Sequence, residues 1–343
     1  MINELTHDYS LFTIHYSPFT IHYYYSLFIK KMDLLYPLGS GSRWNNNELR
    51  FSIRSAFKNL SGFRNIFIVG EKPDFLNLTD EIDGHRIIFL PMPDIYGPNN
   101  ADGNIIAKLL HTAHHPMLSE DFIFMNDDNY FLKPIHVTNI TPFHKGNINE
   151  IDPELFVGVW GRRLGLTRQA LQQKGLTPLH FDHHAPFPMK KNQLMPTYDE
   201  FHFDHGIGLT VKSIYGSMHY KDAPLMNDEK IMFRATFSLD LIRKRCTNCL
   251  YLAHNDEGLT SAMKYFLWEN FPTPSPFETS PIKDKIVNIA EWNAAGMPYE
   301  TGSLLYVEYI PMKKNLHKLF LNNDTWLINK KIRYHLNKVI NNL

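Results

Sequence analysis

From residue 32 onward the chain alternates short apolar runs with amphipathic stretches. Met32 to Leu38, MDLLYPL, reads as an apolar strand, and Gly39-Ser40-Gly41-Ser42 breaks it with loop composition. Across residues 48–60, Leu49, Ile53, Ala56 and Leu60 recur at helical spacing and form one apolar face, with Arg50, Arg54 and Lys58 elsewhere around the helix. Residues 65–69 form the next buried-type strand, ending at Gly70, and residues 86–90 another. Residues 102–115 read as helix, and the strand 121–125 runs directly into Asn126-Asp127-Asp128. Strands separated by helices predict an α/β fold with a mainly parallel central sheet and helices on both faces. Such sheets bind ligands beyond the carboxyl ends of their strands, which here carry residues 39–42, 70–72 and 126–128.

Beyond residue 140 the periodicity weakens. Residues 178–206, rich in His, Pro and Asp, read as an extended loop, while 226–245 and 258–270 read as helix. Residues 312–343 mix Lys and Asn with scattered apolar residues and predict a helical C-terminal segment, taken as 301–343. At the other end, Tyr9-Ser-Leu-Phe-Thr-Ile-His15 is followed by Tyr16-Ser-Pro-Phe-Thr-Ile-His22 and a degraded third copy from Tyr25. Pro18 and the β-branched and aromatic content oppose a coiled-coil heptad. A repeated nucleotide tract read in frame would produce this pattern, which places the expected start at Met32 and makes residues 1–31 a non-native or disordered extension. One elaborated domain is expected over 32–300.

Composition narrows the function. The 343 residues carry 35 Lys+Arg against 35 Asp+Glu, so no global basic field exists to hold nucleic acid. With 43% hydrophobic and 20% charged residues, the chain has enough apolar surface to bury a core. No apolar run of ~18 residues predicts a membrane span. The two cysteines, Cys246 and Cys249, form no disulfide framework and fit a reducing, cytoplasmic setting. Their CxxC spacing leaves zinc or redox chemistry as the alternative to buried thiols. The basic positions Lys330, Lys331, Arg333 and Lys338 are either a solvated helix face or a peripheral contact with an anionic membrane.

Asp127 and Asp128 close an apolar strand, where the chain turns and both side chains can converge. Two adjacent carboxylates repel unless protons or a hard, oxygen-seeking cation such as Mg²⁺ or Mn²⁺ compensates them; the alternative is a pair capping a turn. His184 lies in the cluster His180, Asp182, His183, His184, which reads either as a metal site in its own right or as ordinary loop residues. Arg50 and Arg54 offer planar donor forks to phosphate oxygens or a solvated helix face.

The run Leu118-Ser-Glu-Asp-Phe-Ile-Phe-Met-Asn-Asp-Asp128, continued by Phe131-Leu-Lys-Pro134, resembles the second conserved region of the Stealth family of sugar-1-phosphate transferases. So does Glu48-Leu-Arg-Phe-Ser-Ile-Arg-Ser55 with Ile66-Phe-Ile-Val69. Asp33-Leu-Leu-Tyr36 resembles the first region, His184-Ala-Pro186 the third, and Asn255-Asp256 with Phe271-Pro272 and Ser275-Pro-Phe-Glu278 the fourth, in the expected order. The chain departs from the family after Tyr36, where Pro37-Leu38-Gly39-Ser40 stands, and after Thr210, where Lys212 replaces the usual Arg. The resemblance implies a type A glycosyltransferase-like fold and a UDP-linked donor such as UDP-N-acetylglucosamine. Sugar-1-phosphate would pass to a glycan hydroxyl in capsule or exopolysaccharide synthesis, with UMP released. It implies Asp127, Asp128 and Asp256 as ligands of Mg²⁺ or Mn²⁺ and His184 as general base. Asp33, Gly39, Arg50, Arg54, Lys212, Asn255 and Glu278 would be substrate contacts. The rivals are a glycosyltransferase that releases UDP and a metallohydrolase acting on phosphoesters.

Overall fold

A computed structural model describes residues 31–280 except 79, 227–229, 235 and 237, together with Ile282 and the backbone of Lys285–Asn288 and Tyr306–Glu308. The expected extension 1–31, apart from Lys31, lies outside the described residues, as does the expected helical segment 301–343, apart from Tyr306–Glu308, a short strand paired in parallel with Lys285–Asn288.

The first half of the chain folds much as its periodicity predicts. Strand β1 (Met32–Leu38) leads to helix α1 (Asn47–Asn59), strand β2 (Phe63–Gly70), strand β3 (His85–Pro91), helix α2 (Ala101–Ala113) and strand β4 (Asp121–Phe124). β4 is followed by the short strand β5 (Tyr130–Phe131). Adjacent strands lie in the order β3-β2-β1-β4, all parallel. The sheet is mixed because antiparallel strands flank this core: Glu81–Ile82 beside β3, and β6 (Phe187–Lys190) beside β4.

Side-chain alternation distributes each strand between two cores. Leu34, Tyr36 and Leu38 of β1 join Leu49, Ile53 and Ala56 of α1 on one face. Leu35 turns the other way and joins Ile106 and Leu109 of α2. That second core also takes Leu194 and Tyr198 of α4 (Lys191–Tyr198) and Val211 and Ile214 of α5 (Val211–His219); α3 (Gly158–Gln173) precedes β6 in the chain. Burial on both faces explains why these strands read as continuous apolar runs rather than as alternating ones.

Two expectations are corrected. Residues 178–206 are not one loop, for they contain β6 and α4. Pro188 is tolerated in β6 because that strand pairs on one side only, with β4, so no ladder bond is lost to its missing N–H. Residues 226–245 are not one helix: β7 (Lys230–Phe233) precedes α6 (Leu239–Cys246). β7 pairs with β8 (Tyr251–His254), which pairs in turn with β5, making a second sheet packed against α6 and α7 (Ser261–Asn270). Among the described residues no helix is long and apolar enough to cross a membrane.

The chain steps outward from β1 to β2 and β3, then crosses back to β4 on the other side of β1. This reversal opens a crevice at the carboxyl ends of β1 and β4, where open α/β sheets place ligands. The end of β1 is held firmly: Lys108 of α2 donates to the Leu38 carbonyl at 2.8 Å. Gly70, at φ +132°, sits so close that a Cβ there would collide with that same carbonyl.

Candidate active site

The crevice encloses a cavity of about 580 Å³. Its floor and walls come from the loop after β1 (Gly39, Ser42, Arg43), the start of α1 (Glu48), the turn after β4 (Asp127, Asp128), the loop before β6 (His184) and the end of β8 (His254, Asn255, Asp256).

A hydrogen-bonded stack builds the acidic turn. Ser52 of α1 donates to the Asn129 carbonyl at 2.6 Å, so its oxygen is left to accept from the Tyr36 hydroxyl at 3.0 Å. The fully buried Asn129 accepts from the Asn126 N–H at 3.1 Å and donates to Asp128 Oδ1 at 3.2 Å. The turn from Asn126 to Asn129 is thereby held against α1 and β1, and it presents Asp127 and Asp128 to the crevice.

His184 Nδ1 lies 3.0 Å from Asp128 Oδ2. An ionised carboxylate can only accept, so Nδ1 carries the proton in this contact and Nε2 is left for other partners. Burial pushes Asp128 upward, but the charge and hydrogen bond of His184, with His254 and Lys212, outweigh it, and its carboxyl sits below the ordinary value. Asp127 goes the other way. Burial first, then the neighbouring Asp128 and Glu48, raise it to about 8. Glu48 is also raised, chiefly by burial, although Ser42 donates to its Oε2 at 2.9 Å. Two carboxylates pushed in opposite directions are suited to separate chemical tasks.

The donor set is all oxygen, and the mutual repulsion of Asp127, Asp128 and Glu48 is the kind a divalent cation relieves, so these side chains fit a hard metal ion. Asp127, Asp128 and Asp256 do not converge to a closed three-ligand cluster. Among the described residues the group with that spacing is the exposed set His202, Asp204 and His205. The side chain of Asp256 is 68% exposed at the rim, 3.5 Å from Arg43.

The structure thus brings Asp127, Asp128, His184, Asn255, Asp256 and Gly39 to one cavity. It places five other expected contacts elsewhere. Asp33 stands at the opposite end of β1, fully buried, where it accepts from Arg64 and from the N–H groups of Asn65 and Ser119. Arg50 and Arg54 are buried and converge on Glu278, at 2.7 and 2.6 Å. Arg54 also donates to the carbonyls of Phe271 and Pro272. These three residues clamp the segment after α7 onto α1. Lys212 lies beneath the His184 loop and donates to the carbonyls of His183 and Ala185 at 2.7 and 2.9 Å.

Of the histidine cluster, His184 alone lines this cavity. His183 is buried in a stack on Phe143 and bonded to the Phe143 carbonyl, and His180 is buried beside Trp160. Both cysteines are free and buried, and burial raises the Cys246 thiol to about 12.

Sequence reasoning missed Glu48 and His254 as cavity residues, whereas Ser42 belongs to the strand-end loop 39–42 that it expected there. The Nδ1 of His254 faces the Asn255 carbonyl at 3.1 Å and must donate, so Nε2 accepts from the Tyr130 hydroxyl at 2.8 Å. Burial keeps this ring below its ordinary value, hence neutral. Its role is to hold the Asn255 turn in place, and Asn255 caps the following turn by accepting from Gly258 N–H. Glu48 carried no distinguishing local signal, because an acid in the first turn of a helix is ordinary.

Against this geometry, the comparisons with known proteins point one way. No family model matches the chain. The chain is 33% identical over 112 residues to the mouse N-acetylglucosamine-1-phosphotransferase subunits alpha/beta, and 32% to the human protein. Against an exopolysaccharide phosphotransferase of Nocardia farcinica it is 26% identical over 169 residues. The chain resembles phosphotransferases. The matches take in 31% of this chain and 9% of the mammalian proteins, and 46% of this chain and 33% of the bacterial one. The likeness read from the motifs is therefore shown by relatives as well, over part of the chain.

Proposed function

We propose that the protein transfers sugar-1-phosphate from a UDP-linked sugar, such as UDP-N-acetylglucosamine, to a hydroxyl of a glycan acceptor, forming a phosphodiester and releasing UMP. The observation that carries this reading is the Asp128–His184 hydrogen bond at 3.0 Å inside the switch-point crevice, beside a second carboxylate with the opposite protonation tendency. The names of the relatives give the class of reaction.

The donor diphosphate enters between the residue 39–42 loop and the acidic turn. Asp127 and Glu48, with Asp128 and Asp256 nearby, would hold Mg²⁺ or Mn²⁺, which supplies charge neutralisation on the diphosphate. The acceptor oxygen attacks the phosphorus bearing the sugar, and the bond to the UMP oxygen breaks in line. His184 Nε2 takes the hydroxyl proton. Asp128 keeps the ring oriented and stabilises the imidazolium that forms, as an acidic partner does in a catalytic triad. Lys212 acts through the backbone by fixing the His184 loop. The architecture fits a type A glycosyltransferase-like nucleotide-sugar fold, in which the same crevice would hold the donor.

Incubating the chain with UDP-N-acetylglucosamine, Mg²⁺ and an oligosaccharide acceptor, then separating nucleotides, tests the reaction. UMP with a phosphodiester product is expected. UDP as the sole nucleotide product would refute phosphotransfer and make the protein a glycosyltransferase, whereas phosphoester turnover with water alone would make it a hydrolase.

A further inference from the structure

His184 and Asn255 are shared by two cavities. The first is acidic: Glu48, Asp127, Asp128, Asp256 and Glu257 face the single cation Arg43. The second, of about 640 Å³, has the reverse balance among the described residues, with Lys145, Lys230, Arg234 and Arg245 facing the carboxylate of Asp182. It receives these groups from separate parts of the fold: Lys230 from β7, Arg245 from α6, and Lys145 from the loop that pairs with the histidine segment.

Asp182 offsets this charge only in part, one carboxylate standing against four cationic side chains among the described residues. Its carboxylate accepts from the Trp160 indole N–H, and its carbonyl accepts from Lys145 at 3.1 Å. Burial, followed by the charges of Lys145 and Lys212, pushes Lys230 down to about 7. A cavity that concentrates cations at this cost in mutual repulsion is stabilised by an anion placed among them. A neutral sugar hydroxyl has no use for such a field. Trp160, anchored by its N–H and 48% exposed, adds a flat apolar surface suited to a sugar ring.

We propose that the second cavity is the acceptor subsite, and that it takes an anionic saccharide whose carboxylate or phosphate sits among Lys145, Lys230, Arg234 and Arg245 while a hydroxyl reaches His184. Its role as acceptor subsite rests on phosphotransfer at His184; its capacity to bind an anionic sugar does not. Donor and acceptor then meet at the imidazole, the donor diphosphate through the divalent cation that the acidic side would hold and the acceptor through its own anion on the cationic side.

The test is binding to the full chain, followed by calorimetry or ligand-observed NMR without turnover. D-glucuronate and glucose 6-phosphate are expected to bind saturably, and neutral D-glucose at least about tenfold more weakly. The arm that binds more tightly identifies carboxylate or phosphate as the source of charge. Lys230→Met and, separately, the more exposed Arg234→Gln are expected to weaken anion binding by about tenfold, with Mg²⁺-UDP affinity held within about twofold. Equal binding of glucose, retained anion affinity in both variants, or displacement of glucuronate by Mg²⁺-UDP would overturn the proposal; displacement would assign the cations to the donor diphosphate. In turnover, both variants are expected to raise KM for an acidic acceptor, not for the donor. Anion binding with no UMP release from any acceptor would refute phosphotransfer while leaving the anion site standing.

Discussion

At the scale of single residues, neighbours in the candidate site push the protonation of similar groups apart. Asp128 is held ionised by His184, and Asp127 is held toward protonation by burial and by Asp128. Under the proposed reaction His184→Ala removes the base, and transfer is expected to slow by about 10²–10⁴-fold, with UDP-sugar affinity unchanged by calorimetry. Equal loss of affinity would refute the base assignment. Asp127 also makes a pH prediction. Its folded-state value of about 8 lies above the unfolded value of roughly 4. The folded state therefore binds more protons between these values, and stability falls as pH rises through this window and levels off above it. The measurable form is the difference in Tm between wild type and Asp127→Asn in EDTA: the variant is expected to gain on the wild type from about pH 5 to about pH 8. Mg²⁺ at the upper end is expected to raise Tm of the wild type and not of the variant. The Asp-Asp dipeptide was legible in the sequence because adjacent carboxylates after an apolar strand are chemically conspicuous. Glu48 was not, since an acid in a first helical turn is ordinary by local criteria.

At the scale of elements, local periodicity succeeded where both faces of an element are buried in the ordinary way, and failed where a distant partner decided the outcome. MDLLYPL matches β1 residue for residue because a short apolar run bounded by Lys30-Lys31 and a glycine-serine loop has few other solutions. Ile231, Met232 and Phe233 fit helix or strand equally by pattern, and pairing with β8 selects strand. The arginines of α1 teach the same lesson. Their spacing is compatible with phosphate contact, yet a carboxylate 224 residues away in the chain claims Arg54, and Arg50 with it. Removing that carboxylate leaves two guanidinium groups buried without their anion. Glu278→Ala is accordingly expected to destabilise the protein by about 3–5 kcal/mol, read as a shift in the urea midpoint. A loss below about 1 kcal/mol would show that the clamp is not a buried ion cluster in solution.

At the scale of the whole molecule, two sheets meet at the cavity that the ends of β4 and β8 line. β1 lies between β2 and β4 with both faces covered, so its amides open only when the sheet does. Hydrogen exchange is expected to be slowest in peptides covering Met32–Leu38 and Phe63–Gly70, and faster in the β7 strand Lys230–Phe233 of the second sheet; the reverse order would mean that the second sheet is the stable unit. The sequence alone determined the parallel α/β half, the strand ends that line the cavity and the phosphotransferase-like motifs, because apolar period, glycine breaks and adjacent carboxylates are properties of neighbouring residues. Only the tertiary structure decided which motif residues share a cavity, that Asp33, Arg50, Arg54 and Glu278 serve as braces, and that cavities of opposite charge flank His184. Those outcomes depend on side chains brought together from far apart in the chain, where burial and electrostatics act through space and leave no local period to read.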